Sequence, residues 1–184
     1  MVMSGMQEAP GELELVRTFV NTLDVEDGID ELADPVALER WLRAHDLLRG
    51  GPRPGDEELV AARRLREAIR TLLLGNNGVS VRKEAALVLS RTAGRARLAV
   101  VFHPDGNARL EPAAGGVDGA LGRVLAVVAE AMTDGTWTRL KACRADDCRW
   151  AFYDHARNRS RHWCSMAVCG NRTKARTYRR RHAH

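Results

Sequence analysis

The sequence predicts a mainly helical α+β protein: a helical N-terminal domain with one small β-hairpin, then a small cysteine-rich module ending in a basic helix. Three observations predict it. Apolar residues recur at helical spacing through most of the first 136 residues. One stretch, 98–111, switches to strand-like patterning around the turn Pro-Asp-Gly-Asn. Charge then divides the chain: residues 1–136 carry 16 Lys/Arg against 21 Asp/Glu, a net −5, whereas residues 137–184 carry 13 Lys/Arg against three Asp, a net +10. The basic segment also holds all four cysteines and three of the four tryptophans.

The first helix is "ELELVRTFVNTL", where Leu15, Phe19 and Leu23 lie four apart on one face. Asn21-Thr22 interrupts that face and reads as a buried hydrogen-bonding pair rather than a ligand contact. In "DPVALERWLRAHDLLRGG", Asp34 is the expected N-cap and Pro35 the first helical residue. Its stripe is Leu38, Trp41, Leu42 and Leu48. A third helix starts at Asp56 with acids in its first turn, which suits the helix dipole. Leu65, Ile69, Leu72 and Leu73 face inward, and Gly75-Asn76 stops it. "SVRKEAALVLSRT" is a shorter helix with Ser80 as its expected cap.

Two strands follow, 98–103 and 108–111. The apolar run Leu98-Ala99-Val100-Val101-Phe102 is expected to be buried on both faces. "GVDGALGRVLAVVAEAMTDG" returns to helix, with Leu121, Val124, Leu125, Val128 and Met132 in register. Asp134-Gly135 then breaks the chain, which sets the expected domains at 1–136 and 137–184. His45 and His103 are isolated and read as surface or hydrogen-bonded residues. Residues 1–136 hold no phosphate-binding glycine motif and no metal-ligand spacing. No nucleophile–base set or carboxylate pair stands out, so the chain does not read as an enzyme.

No stretch approaches the roughly 18 apolar residues of a membrane span. The start, with Met1, Met3 and Met6 as candidate initiators, lacks a basic and then apolar leader. A reducing, cytoplasmic compartment is therefore expected, where four cysteines point to metal or catalysis.

Cys143, Cys148, Cys164 and Cys169 follow the pattern C-x4-C-x15-C-x4-C. Two pairs joined by a longer spacer suit one structural Zn²⁺ held by four thiolates at about 2.3 Å. Disulfides, an iron–sulfur cluster and free thiols are the alternatives. His155 and His162 lie nearby, but four thiolates already fill the coordination sphere. A full sphere leaves no open position, so no zinc catalysis is expected. A segment this short is near the lower limit for folding unaided, and a metal would add stability. Trp137, Leu140, Trp150, Phe152, Trp163 and Met166 are the expected apolar cluster around it.

One zinc centre cannot explain the positive excess. Arg144, Arg149 and Arg172 are close to ligands and could offset the charge of the thiolates. Arg157, Arg159 and Arg161 alternate in "HARNRSRHW", which suggests an extended loop with its arginines on one side. Arg172, Arg176, Arg179 and Arg180 fall on one face of a helix with Asn171 as N-cap, and Lys174, Tyr178 and Arg181 form an adjacent stripe. Arginine forks suit phosphates and guanine edges, so nucleic acid is the expected partner.

The segment 140–176, "LKACRADDCRWAFYDHARNRSRHWCSMAVCGNRTKAR", resembles the CGNR zinc-finger family, including the tetrapeptide Cys169-Gly170-Asn171-Arg172. Ala156 departs from it, where members often carry a small hydroxyl residue. "VNTLDVEDGIDELADPVALERWLRAHDL" is similar to the ABATE domain that usually precedes this finger. The resemblance implies a stress-induced bacterial transcription regulator: a regulatory or dimerising domain over 1–136 and a nucleic-acid-binding finger over 137–184. It names no effector for the N-terminal domain. DNA is the expected target, in the nucleoid, and a homodimer is among the expected states. RNA or ribosome binding by the same tail, and a protein-interaction adaptor, are the rival functions.

Overall fold

The computed structural model describes residues 7–182, Arg181 for its backbone alone; the candidate initiators lie outside them. Five helices build the N-terminal part: α1 (Leu13–Asn21), α2 (Pro35–Ala44), α3 (Asp56–Gly75), α4 (Lys83–Ala96) and α5 (Gly116–Asp134). Between them lie two antiparallel hairpins, β1 (Leu23–Asp24) with β2 (Ile29–Asp30), and β3 (Leu98–Phe102) with β4 (Ala108–Pro112). A third hairpin, β5 (Leu140–Ala142) with β6 (Ala151–Tyr153), opens the cysteine-rich segment, and α6 (Asn171–Arg181) closes it. The mainly helical α+β class read from the sequence is the one observed.

Local chemistry explains some helix ends. Asp34 is the N-cap of α2, its carboxylate accepting from the N–H of Ala37 at 2.7 Å, with Pro35 behind it. At the start of α3, Glu58 reaches back to the N–H of Gly55 at 2.9 Å. Ser80 does not cap α4. That helix begins at Lys83 without a side-chain cap and runs to Ala96, where Arg97 turns left-handed.

The core forms around α5, whose Leu121, Val124, Leu125 and Val128 pack with Phe19, Leu38, Leu42, Leu65, Ile69 and Leu73. Gly122 lets the end of α4 and β4 come close, since a Cβ there would meet the Cβ atoms of Ala96 and Pro112 at 2.4 and 2.9 Å. Two expectations fail at the edge of this core. Met132 is 46% exposed, because it lies on the outer side of α5. The run 98–102 is not buried on both faces: Val100 is 58% and Phe102 82% exposed. Apolar runs of this length fit a central strand, but β3 has only β4 beside it.

The six apolar residues expected around the cysteines do not form one cluster. Trp137, Leu140, Ala142, Ala151 and Tyr153 join the main core instead. Only Phe152, Ala145, Trp150 and Trp163 pack around the cysteines, and Met166 is 48% exposed. The expected six-residue cluster is therefore divided. Hairpin residues alternate sides, so one face of β5–β6 meets the helices and the other covers the sulfurs.

Polar side chains complete this junction. Asn21 does not pair with Thr22. Its amide donates to the carbonyl of Ala151 at 2.9 Å and accepts from the Ala151 N–H at 2.7 Å, as a neighbouring strand would. Thr22 is instead bonded to the Phe19 carbonyl and to Arg66, which also forks onto Asp30. Arg70 donates to the carbonyls of Val20 and Arg149. Asn76 donates to the carbonyls of Trp137 and Leu140, and Asn77 to those of Ala142 and His162. The pair that merely stops α3 in sequence thus anchors the following segment.

Replacing Asn21 by Ala strands a buried N–H and a buried carbonyl on Ala151. Each unsatisfied group costs about 1–3 kcal/mol, so Asn21→Ala is expected to lower unfolding free energy by about 2–5 kcal/mol in a denaturant titration.

Candidate metal centre

The first cysteine pair sits on the turn between β5 and β6. The Cys143 N–H donates to the Trp150 carbonyl at 2.9 Å, and those of Cys148 and Arg149 share the Ala145 carbonyl. Arg149 adopts a left-handed conformation (φ 56°) that closes this loop, and its side chain pairs with Asp146. The second pair spans a helical turn of wider bore, Met166–Gly170, in which the Gly170 N–H reaches back five residues to Ser165. Ser165 caps this turn by accepting from the Val168 N–H. The turn runs directly into α6, so Asn171 is inside a continuous helical segment and is not its N-cap.

All four cysteines are buried and none is in a disulfide. Their four Sγ atoms lie within 4.8 Å of one another. Cys148 and Cys164 are 3.5 Å apart, and Cys164 and Cys169 3.6 Å. A tetrahedron of sulfurs about 2.3 Å from one zinc ion has edges of about 3.8 Å, whereas a disulfide needs about 2 Å. The donor set therefore fits one structural Zn²⁺. His155 and His162 take no part. His162 is bonded to the Asn77 side chain at 2.7 Å, and His155 to the Glu8 carbonyl at 3.1 Å.

The acid–base behaviour of the thiols shows why the site needs a cation. Thiol hydrogen bonds from Cys148 and Cys164 pull Cys143 down to about 2. Their bonds to Cys143 in turn push Cys148 and Cys164 up, and burial next to the Cys143 thiolate raises Cys169. Four buried thiols this close cannot all ionise without a cation among them. A bound Zn²⁺ supplies that charge, and its uptake releases protons.

Each residue of the Cys-Gly-Asn-Arg tetrapeptide then has a physical task. Cys169 supplies a sulfur. Gly170 leaves room for Trp163 and Met166, which would lie 3.1 and 2.4 Å from any Cβ there. Asn171 donates to the Ala167 carbonyl and braces the wide turn at 3.2 Å. Arg172 places one nitrogen 3.6 Å from the Cys169 sulfur. Two of its nitrogens also donate to the Glu26 carboxylate, at 2.6 and 3.1 Å, in the tip of the β1–β2 hairpin. The bond to Glu26 raises the pKa of this guanidinium, so it is a permanent positive neighbour of the thiolates.

The arginines singled out from the sequence separate into two groups. Arg172 is committed to Glu26 and Cys169, and Arg176 pairs with Asp147 at 2.6 Å. Arg161 is half-buried, 5.4 Å above the Phe152 ring, and donates to the Cys164 carbonyl. These three are turned toward the module. Arg157, Arg159, Lys174, Arg179 and Arg180 are exposed and have no acidic partner among the described residues. Arg181 lies on α6. Sequence spacing put Arg172, Arg176, Arg179 and Arg180 on one outward face. Asp147 and Glu26 lie 29 and 146 residues away from the arginines they bind, and they turn the first half of that face inward.

Two residues missed in the sequence hold the arginine loop. Lys141 and Asp154 form a buried ion pair at 2.7 Å. Lys141 also donates to the carbonyls of Arg159 and Arg161, and Asp154 accepts from the N–H groups of Ala156 and Arg161. The Ala156 N–H is thus satisfied at the position where the family often has a hydroxyl. A lysine and an aspartate 13 residues apart carry no periodic signal. Only the pairing of β5 with β6 brings them together.

The ABATE profile, described as "Putative stress-induced transcription regulator", matches residues 13–135, and the CGNR zinc finger profile matches residues 139–182. No curated protein matches the chain. The chain belongs to the ABATE family and carries a CGNR zinc finger.

Two outcomes test the centre. Cys164→Ser is expected to release zinc, seen as loss of metal in native mass spectrometry, and to disorder α6 while the far-UV signal of α1–α5 persists. Asp154→Ala leaves Lys141 charged and buried, with an expected loss of about 3–5 kcal/mol. Burial opposes ionisation of Asp154, but the Lys141 bond and the Ala156 and Arg161 N–H groups outweigh it and hold its pKa below the usual range. Its contribution is therefore complete above about pH 4 and fades as pH falls through the lowered value. Asp154→Ala should flatten this acid limb of the stability curve.

Proposed function

We propose that this member of the ABATE family is a DNA-binding transcription regulator that works by binding rather than by catalysis. Its zinc finger presents a loop and a helix as one cationic surface. The observation that carries the reading is the set of outward cations without acidic partners: Arg157 and Arg159 on the loop, Lys174, Arg179 and Arg180 on α6. Loop and helix are tied to the same four sulfurs through Cys164 and Cys169, so their spacing is fixed in the free protein. A prepositioned surface loses less conformational entropy on binding than a flexible basic tail.

In this mechanism the guanidinium forks engage phosphate oxygens first, since most protein–DNA hydrogen bonds go to the backbone. α6 is the element shaped to approach a groove, as helices beside zinc sites do in other DNA-binding modules. The acidic N-terminal part contributes regulation, with the Glu26–Arg172 pair as its contact with the start of α6. Among the described residues no helix is long and apolar enough to cross a membrane.

The test is a duplex-DNA titration at several salt concentrations. Neutralising about five phosphates gives an expected slope of log K against log salt of about −4.5. The double charge reversal Arg179→Glu, Arg180→Glu should reduce that slope by about 2 and weaken binding to unrelated duplexes equally. Salt-independent affinity, or displacement by structured RNA at lower concentration than by duplex DNA, would overturn the DNA reading.

A further inference from the structure

The β3–β4 hairpin has one closed edge and one open edge. The His103 N–H donates to the Asn107 carbonyl at 2.9 Å, and the Ala113 N–H to the Arg97 carbonyl at 3.3 Å. By the alternation of an antiparallel pair, residues 99 and 101 also face β4. The N–H and carbonyl groups of Leu98, Val100 and Phe102 therefore point outward. On the far side of the hairpin the Leu110 N–H is taken by Glu130 of α5 at 3.3 Å, so that edge is covered. The outer edge of β3 has no such cover among the described residues.

Its composition is unusual for a free edge. Exposed edges in monomeric proteins are usually blunted by charge, proline or a bulge. β4 has Arg109, Glu111 and Pro112, whereas the five residues of β3 are all apolar. Val100 and Phe102 are also the most exposed large apolar side chains of the hairpin. An isolated two-stranded sheet is marginally stable in water, and a third and fourth strand are the usual remedy.

We infer that the outer edge of β3 is a homodimer interface, in which β3 of a second copy pairs antiparallel across Val100 to give one four-stranded sheet, β4-β3-β3-β4. The register is self-complementary. Centring the two-fold on Val100 sets Leu98 opposite Phe102 of the second copy, so each exposed ring gains an aliphatic neighbour. All outward N–H and carbonyl groups then meet outward groups, since residues 98, 100 and 102 share one parity. No charge lies within the paired strand, so like charges do not face each other. At its ends Arg97 comes opposite His103 of the second copy, whose ring is held by Glu111 at 2.8 Å, and that carboxylate supplies the counter-charge. The pairing covers Val100 and Phe102, two of the five positions where the sequence expected burial.

The inference is independent of the nucleic-acid target and is tested without it. Sedimentation velocity of the full zinc-loaded chain should show a dimer that dissociates on dilution. Val100→Lys brings two ammonium groups together at the two-fold and should raise the dimer dissociation constant at least about tenfold. Its circular dichroism and zinc content should match those of the unsubstituted chain, since Val100 is exposed. Val36→Lys, at an equally exposed apolar site on α2, should leave the dimer intact. Opposed residues in such a hydrogen-bonded pair have Cα atoms about 5.5 Å apart, within disulfide range. Val100→Cys should therefore cross-link under mild oxidation, and Val36→Cys should not. A dimer that survives Val100→Lys overturns the inference. So does a chain that stays monomeric throughout, which would leave this edge to a strand of a different protein.

Discussion

Four buried sulfurs within 4.8 Å are the constraint on which the C-terminal quarter depends. Neutral thiols could pack there, but thiolates cannot share so small a volume without a divalent cation. With zinc at their centre the requirement reverses, and the sulfurs hold two chain segments that have little other reason to meet. The turn between β5 and β6 is tight and irregular. The wide helical turn at Met166–Gly170 buries only Cys169 and Gly170. Neither would persist in water, and both are held because each supplies two ligands to one ion. The direction in which α6 leaves the module follows, since the wide turn and α6 are continuous.

The zinc module is joined to the helical part by hydrogen bonds as much as by apolar contact. Asn21, Arg70, Asn76 and Asn77 are directed at backbone groups of the turns and outward-facing strand edges near the cysteines. Such segments cannot satisfy their own carbonyls in a ladder, so buried side-chain donors do it for them. Apolar contacts would hold the module with less orientation. Amide and guanidinium donors fix it residue by residue. As a result, the metal site and the N-terminal helices form one packed unit: Asn77 holds the residue before Cys143, and Asn21 holds Ala151, three residues after Cys148.

Charge is distributed more economically than the raw count suggests. Four of the thirteen Lys/Arg side chains of residues 137–184 are held in the ion pairs that follow. Lys141 is paired with Asp154, Arg149 with Asp146, and Arg172 and Arg176 with Asp147 and Glu26. Within the described part of 137–184 the cations left facing water without an acidic partner lie on the arginine loop and along α6. The acidic N-terminal part contributes Glu26 to this sorting, so it selects which face of α6 is free. Helix and loop are thus oriented by ion pairs on one side and offered to solvent on the other.

The sequence by itself determined the class of fold, most helix positions and the metal ligands. These are local or strongly patterned properties: helical spacing in α5, the Asp34 cap before Pro35, two cysteine pairs with the correct gap. Tertiary structure alone decided the rest. The burial of Val100 and Phe102 depends on how many strands lie beside β3, which no apolar run encodes. The roles of Asn21, Asn77, Lys141 and Asp154 depend on partners 13 to 130 residues away. The inward turn of Arg172 and Arg176 depends on two carboxylates brought from elsewhere in the chain. Periodicity records which residues share a face of their own element. What that face meets is settled by packing between elements, and there a hydrogen bond or ion pair has no sequence spacing to announce it.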